Sequence, residues 1–136
     1  MNSKAVVQTY FDVILGKNTE VALTDLFSDD ATWRVPHSNP MIKPNPKVGK
    51  AGIMDVLTNG VSVYQPDSFR INALQLIAEG NEVVALFTLD ARLADGRDYE
   101  NEYVFYFAVR DGQICEVREN LDTLRQAQFG VFEGFV

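Results

Sequence analysis

The last third of the chain, residues 99–123, reads YENEYVFYFAVRDGQICEVRENLDT, two alternating apolar runs joined by Asp111-Gly112. An Asp-Gly pair accepts the positive φ angles of a tight hairpin, so the two runs are predicted to pair antiparallel. Gly80-Asn81 and Asp95-Gly96 divide the preceding sequence in the same way. Strands are therefore predicted over 68–79, 82–94, 97–110 and 113–122. Successive two-residue turns make a sequentially paired meander the most economical topology.

Upstream, the apolar period changes from two to that of a helix. Val6, Val7, Tyr10, Phe11, Ile14 and Leu15 form a stripe, with Ser3 as the predicted N-cap and Gly16 as the stop. Thr19 is the predicted cap of a second, shorter helix whose Val21, Leu23, Leu26 and Phe27 turn inward. Residues 29–36, DDATWRVP, read as a short strand. Residues 36–46, PHSNPMIKPNP, hold four of the five prolines and read as a loop, because proline denies both helix and ladder hydrogen bonds. A third helix is predicted over 50–59, with Ile53, Val56 and Leu57 on one side. Helices first and strands after predict an α+β fold, one domain over 1–136, with three N-terminal helices packed on one face of a curved, mostly antiparallel sheet. The tail, 123–136, carries Phe129, Phe132 and Phe135 and is expected to close the core, the pocket or a dimer contact.

Bulk chemistry narrows the function. A net charge of −7 and a pI near 4.6, with no basic cluster, argue against nucleic acid or an anionic membrane as partner. One cysteine, Cys115, and one histidine, His37, supply neither a disulfide nor a Cys/His metal cage. There is no glycine-rich phosphate loop, so no cofactor and no metal are expected. No signal-peptide pattern opens the chain and no apolar run reaches bilayer length, which makes a cytoplasmic location the expectation.

Helix, helix, a strand opening SDDATW, a loop ending Val-Gly-Lys, a helix and a four-stranded meander together resemble the nuclear transport factor 2-like superfamily. The closing pattern Tyr-x-Asn-x-Tyr-Val-Phe…Val-Arg-Asp-Gly-Gln-Ile…Glu-Val-Arg-Glu-x-Leu-Asp resembles its SnoaL-like, polyketide cyclase-like branch, a neighbour of the ketosteroid isomerases and limonene-epoxide hydrolases. The resemblance spans roughly residues 3–125. It implies a sheet curled into a cone around an apolar pocket, and a homodimer. It places Glu119 where cyclases and epoxide hydrolases carry an essential aspartate, and Tyr10 within one position of the isomerases' oxyanion-hole tyrosine. Other family positions are replaced. Val35 stands where isomerases hold their base, Leu86-Phe87-Thr88 where epoxide hydrolases carry Arg-x-Asp, and Phe105 where cyclases carry histidine. Trp33 and Val35 stand where epoxide hydrolases hold water with Tyr and Asn.

Strand alternation orders the candidates. Glu119 shares its face with Val117 and Leu121, which points it inward, where an apolar setting raises a carboxyl pKa; the alternative is a carboxylate at the mouth, hydrated or paired with Arg92. Asp90 and Arg92 continue the parity of Leu86 and Thr88 and are expected either to face the pocket and orient Glu119 or to form a structural pair. Tyr10 is a core tyrosine or a ligand donor. His37 follows Trp33 and Val35 on inward parity and is a proton shuttle or a solvated loop residue. Asn101 and Tyr103 share a face with Phe105 and Phe107 and are candidates to bind a ligand, with Trp33, Val35, Thr88, Arg92 and Phe105 as pocket walls. Val104, Tyr106 and Ala108 on the opposite face suggest a dimer contact.

Three functions fit. One is a cofactor-independent isomerase, cyclase or hydrolase acting on a small hydrophobic carbonyl or epoxide compound by acid–base catalysis. The second is a non-catalytic binder of a small hydrophobic molecule, and the third a dimeric interaction domain. A second titratable group hydrogen-bonded to Glu119 would favour catalysis, and a lone carboxyl in a sealed cavity would favour binding.

Overall fold

The structure is a computed structural model and describes residues 2–135. It opens with α1 (Ser3–Ile14), whose Val6, Val7, Tyr10 and Phe11 are buried as the stripe requires. The N-cap is Asn2 rather than Ser3: the Asn2 side chain accepts from the Ala5 amide at 2.8 Å. The Ser3 hydroxyl instead donates to the Gly80 carbonyl at 2.6 Å, tying the helix start to a distant turn. The segment predicted as a second helix is a single 3-10 turn, Leu23–Leu26. Asn18 Oδ1 accepts from the amides of Glu20 and Val21 at 3.0 and 3.1 Å, so the backbone ahead of that turn is held by a side chain and not by helical bonds.

Next come β1 (Phe27–Arg34), β2 (Lys47–Val48) and α2 (Gly49–Ser62), then the meander β3 (Arg70–Glu79), β4 (Glu82–Arg92), β5 (Asp98–Arg110) and β6 (Gln113–Leu121). The tail folds into α3 (Thr123–Gln128), capped by the Asp122 carboxylate on the Arg125 amide at 3.0 Å. Among the described residues the α-helices are thus three, but one stands near the C-terminus, not all at the N-terminus as predicted. The sheet has six strands in the order β2-β1-β6-β5-β4-β3. Neighbours pair antiparallel except β1 with β6, which run parallel and make the sheet mixed.

Two registers decide what faces inward. In β5–β6, Val109 pairs with Ile114 but Ala108 with Glu116, which leaves Cys115 as an extra residue in β6. This bulge brings Val117 opposite Phe107 and Glu119 opposite Phe105 on the buried face. In β4–β5, Thr88 pairs with Glu102, Asp90 with Glu100 and Arg92 with Asp98. Directly opposed residues share a face, so Thr88, Asp90 and Arg92 lie on the outer side with the glutamates. That corrects the expectation that they enter the pocket: the buried set of β4 is Val83, Ala85, Phe87, Leu89 and Ala91. Asp90 accepts from Asn72 Nδ2 at 2.6 Å, and Arg92 pairs with Asp98 at 3.3 Å, both away from Glu119.

The outer face covers part of its own apolar surface. The Arg118 guanidinium lies 4.7 Å from the Tyr106 ring centre, and the Tyr106 hydroxyl donates to Glu82 at 2.7 Å. Val104 remains 44% exposed.

Candidate functional site

The inner face of the sheet, α1, α2, the proline-rich loop and the tail surround a cavity of about 560 Å³. Aromatic and aliphatic side chains line most of it. Among the described residues lining it, Glu119 is the one that carries a charge. The Trp33 indole Nε1 donates to Glu119 Oε1 at 3.1 Å, the carboxyl's one hydrogen bond among the described residues. Parallel pairing of Trp33 with Val117 sets the indole beside the Glu119 strand. With no cation among the described residues near it, burial pushes the Glu119 carboxyl up to about 7, only partly opposed by the indole hydrogen bond. The group therefore exchanges a proton near neutrality, which an ordinary glutamate does not.

Tyrosines gather around this charge. Tyr10 lies within the core, its ring 6.4 Å from that of Trp33. Burial and then the Glu119 charge raise its ionisation, so its hydroxyl stays protonated. Among the described residues that hydroxyl has no hydrogen-bond partner. Tyr103 and Tyr64 also line the cavity, and burial raises both. Behind Tyr103 stands a short polar chain. The Tyr99 and Tyr103 hydroxyls are 2.8 Å apart, and Asn101 Nδ2 donates to the Tyr99 hydroxyl at 2.9 Å and to the Asp122 carbonyl at 2.9 Å. Asn101 therefore joins the tyrosine chain to the residue that caps α3.

Of the residues singled out in the sequence, Trp33, Val35, Tyr10, Tyr103, Phe105 and Glu119 line one cavity. Asn101 is on the inner face but sits behind the lining, 2% exposed. His37 does not reach the cavity. β1 ends at Arg34, the chain turns with the Asn39 amide donating to the Pro36 carbonyl at 2.9 Å, and the imidazole is left exposed. Thr88, Asp90 and Arg92 are on the other face, as described above.

Several lining residues escaped sequence reasoning. Asn39 is buried in the proline-rich loop, where its Oδ1 accepts from the Met41 amide at 2.8 Å and its residue walls the cavity. An Asn before proline signals a turn, but nothing in the sequence says what the turn encloses. Asn45 bonds both backbone groups of Val35, at 3.2 and 2.8 Å, and holds this loop against the end of β1. Tyr64 belongs to no predicted element. Gln126, 6% exposed, lines the cavity from the tail, and its Oε1 is buried with no hydrogen-bond partner among the described residues. The helix start at Asp122-Thr123 was the available signal for that segment. Among the described residues no group of three or more His, Cys, Asp or Glu side chains is placed to hold a metal ion, and no helix is long and apolar enough to cross a membrane.

Known proteins place this architecture. A structure of TerC co-crystallized with polyporic acid matches at 20% identity, over 92% of this chain and 95% of that one, with a TM-score of 0.76. A nuclear transport factor 2-like protein from Burkholderia xenovorans matches at 20% identity, over 94% and 96%, with a TM-score of 0.76. A protein described as a candidate polyketide cyclase from Pseudomonas putida matches at 17% identity, over 94% and 97%, also at 0.76. At such identities these likenesses speak for the fold alone. No curated protein matches the chain. The model of the SnoaL-like domain, however, matches residues 7–117, from the first buried turn of α1 to the strand that carries Glu119. The chain belongs to the SnoaL-like domain family, with the nuclear transport factor 2-like fold.

Proposed function

We propose that the protein is a cofactor-independent acid–base enzyme that moves a proton at the carbon next to the carbonyl of a small hydrophobic compound. The observation that carries this reading is Glu119, a carboxyl with no cation beside it among the described residues, titrating near 7 in a cavity walled by apolar and aromatic groups. As the carboxylate it takes the proton from carbon. The C–H electron pair becomes the C=C bond of an enolate, and the carbonyl oxygen gains the negative charge. Return of the proton to the same carbon gives exchange, and to a conjugated carbon gives an isomer. The oxyanion is met by a cavity hydroxyl, for which Tyr10 and Tyr103 are both placed and both stay protonated.

A second reading, binding without turnover, has its own support: among the described residues the Glu119 carboxyl is hydrogen-bonded to Trp33 and to no second titratable group. Proton abstraction does not require such contact. Base and oxyanion donor act on different substrate atoms, and each must reach the substrate rather than the other. Exchange separates the two readings. Small ketones incubated in deuterium oxide are followed by proton NMR with wild type and Glu119→Gln. Deuterium entering next to the carbonyl, with a rate rising through pH about 7 and falling by at least about 100-fold in the variant, supports the enzyme. Ketones that bind and do not exchange support the binder.

A further inference from the structure

The polar chain behind the cavity has a direction, and Asn101 sets it. The Asp122 carbonyl can only accept and the Glu102 amide can only donate, so Nδ2 must face the former and Oδ1 the latter, at 2.9 and 2.8 Å. The second Nδ2 hydrogen then goes to the Tyr99 oxygen at 2.9 Å. Tyr99 is 1% exposed, and its other hydrogen-bond partner is the Tyr103 hydroxyl at 2.8 Å.

A hydroxyl has one hydrogen to give. If Tyr103 donated to Tyr99, the Tyr99 hydrogen would lie buried with no acceptor among the described residues. The opposite sense avoids that loss. Tyr99 therefore donates to Tyr103, and Tyr103 keeps its own hydrogen for the side it presents to the cavity. Each bond polarises the next, which makes this O–H a better donor than an unsupported phenol. Tyr10, with no partner of its own, has neither the orientation nor the polarisation. Tyr64 shares the cavity wall with Tyr103, which makes its hydroxyl the rival acceptor for the Tyr103 hydrogen.

We propose that Tyr103 is the group that binds the ligand's carbonyl oxygen, and that Asn101 and Tyr99 are positioning residues that hold its hydrogen toward the cavity. This rests on the ketone reading above and assigns the oxygen end of the ligand, as Glu119 assigns the carbon end.

The carbonyl stretch of bound acetophenone, carbon-13 labelled and read by difference infrared spectroscopy, tests it without turnover. In wild type the band falls below its position in hexane. In Tyr103→Phe it returns toward the hexane position and the Kd rises about tenfold, the worth of one neutral hydrogen bond. Tyr99→Phe keeps the Tyr103 hydroxyl and removes its support, so its band lies between the two, a graded shift that a purely structural role would not produce. Tyr64→Phe removes the competing acceptor and leaves the band at or below the wild-type position. The proposal is overturned if Tyr103→Phe keeps the wild-type band, if Tyr99→Phe leaves it unmoved, or if wild type binds no acetophenone up to its solubility. Glu119→Gln keeps the shifted band. A shifted band without exchange would sink the general-base reading alone, and exchange with a band indifferent to Tyr103→Phe would sink this one alone.

Discussion

Two hairpins of the same sheet turn on the same dipeptide and treat their carboxylates in opposite ways. In β5–β6 both Asp111 and Gly112 take positive φ, 53° and 76°, and Arg110 pairs with Gln113 across a true two-residue turn. A ladder continued unbroken from that turn would set Glu119 opposite Val104 on the outer face. The extra residue Cys115 moves the pairing on by one and brings Glu119 opposite Phe105 inside. In β4–β5, of Asp95 and Gly96, only Gly96 has positive φ, and the Leu93 amide donates to the Arg97 carbonyl at 2.8 Å, closing a three-residue loop over 94–96. A two-residue turn there would have set Asp90 opposite Asn101, inside. One residue in each hairpin thus decides which carboxylate meets the cavity, because a slip of one turns every side chain to the other face.

Deleting Cys115 tests this with the largest effect. The shortened β6 must either carry Glu119, Val117 and Leu121 outward or give up its pairing beyond Ile114. Either way buried apolar groups are lost, at a cost on the order of 4 kcal/mol or more. Thermal melting is expected to lose its cooperative transition or fall steeply. Cys115→Ala keeps the residue count and is expected to stay within about 1 kcal/mol of wild type. A deletion variant that melts like wild type and still titrates Glu119 near 7 would show that the bulge does not aim the carboxyl.

The second test concerns the carboxyl once aimed. Its folded pKa, about 7, lies above the ordinary 4.5. Between those values the folded chain holds a proton that the unfolded chain has released, so this group's contribution to stability falls as pH rises through that window and is flat above it. At about 1.36 kcal/mol per unit, the fall is at most about 3 kcal/mol. Glu119→Gln cannot ionise and still accepts from Trp33. It is expected to match wild type near pH 4 and to exceed it by up to that amount at pH 8, read from denaturant melts at both pH values. Equal stabilities at pH 8 would mean that Glu119 is hydrated as an ordinary surface carboxylate.

The same arithmetic explains what the sequence could and could not tell. The stripe of α1 and the alternation of β5 and β6 are local patterns, and they set Tyr10, Tyr103, Phe105 and Glu119 on the side that lines the cavity. Glu119 was legible despite the bulge, because Val117 and Leu121 lie beyond Cys115 and carry the new parity with them. β4 was not. Val83, Val84, Ala85, Leu86 and Phe87 are apolar at every position, so alternation names no face, and the face had to be inferred from a turn whose length the sequence leaves open. The parallel pairing of β1 with β6, which delivers Trp33 to Glu119, joins segments 86 residues apart and leaves no local trace. Asn39 and Gln126 reach the cavity from irregular or terminal segments for the same reason. The second helix failed on length: a four-residue turn is closed by Asn18 and packing, and a helical stripe cannot be read from so few positions.

The smallest expected effect is also the sharpest check on the β4–β5 loop. Asp90→Asn and Arg92→Gln alter groups that bond Asn72 and Asp98 on the outer face, in water. An exposed pair of this kind is worth about 0–1 kcal/mol. Each variant is therefore expected to melt within about 0.5 kcal/mol of wild type, to bind the same ketones and to exchange their protons at the same rate. A two-residue turn would give a different result: Asp90 would stand opposite Asn101, against the polar chain that supports Tyr103. Its amide would then compete for the Asn101 hydrogens and disturb the shifted carbonyl band. An unmoved band and an unmoved exchange rate in Asp90→Asn confirm the three-residue loop, and a tenfold loss of either means that β4 pairs one residue out of the register described.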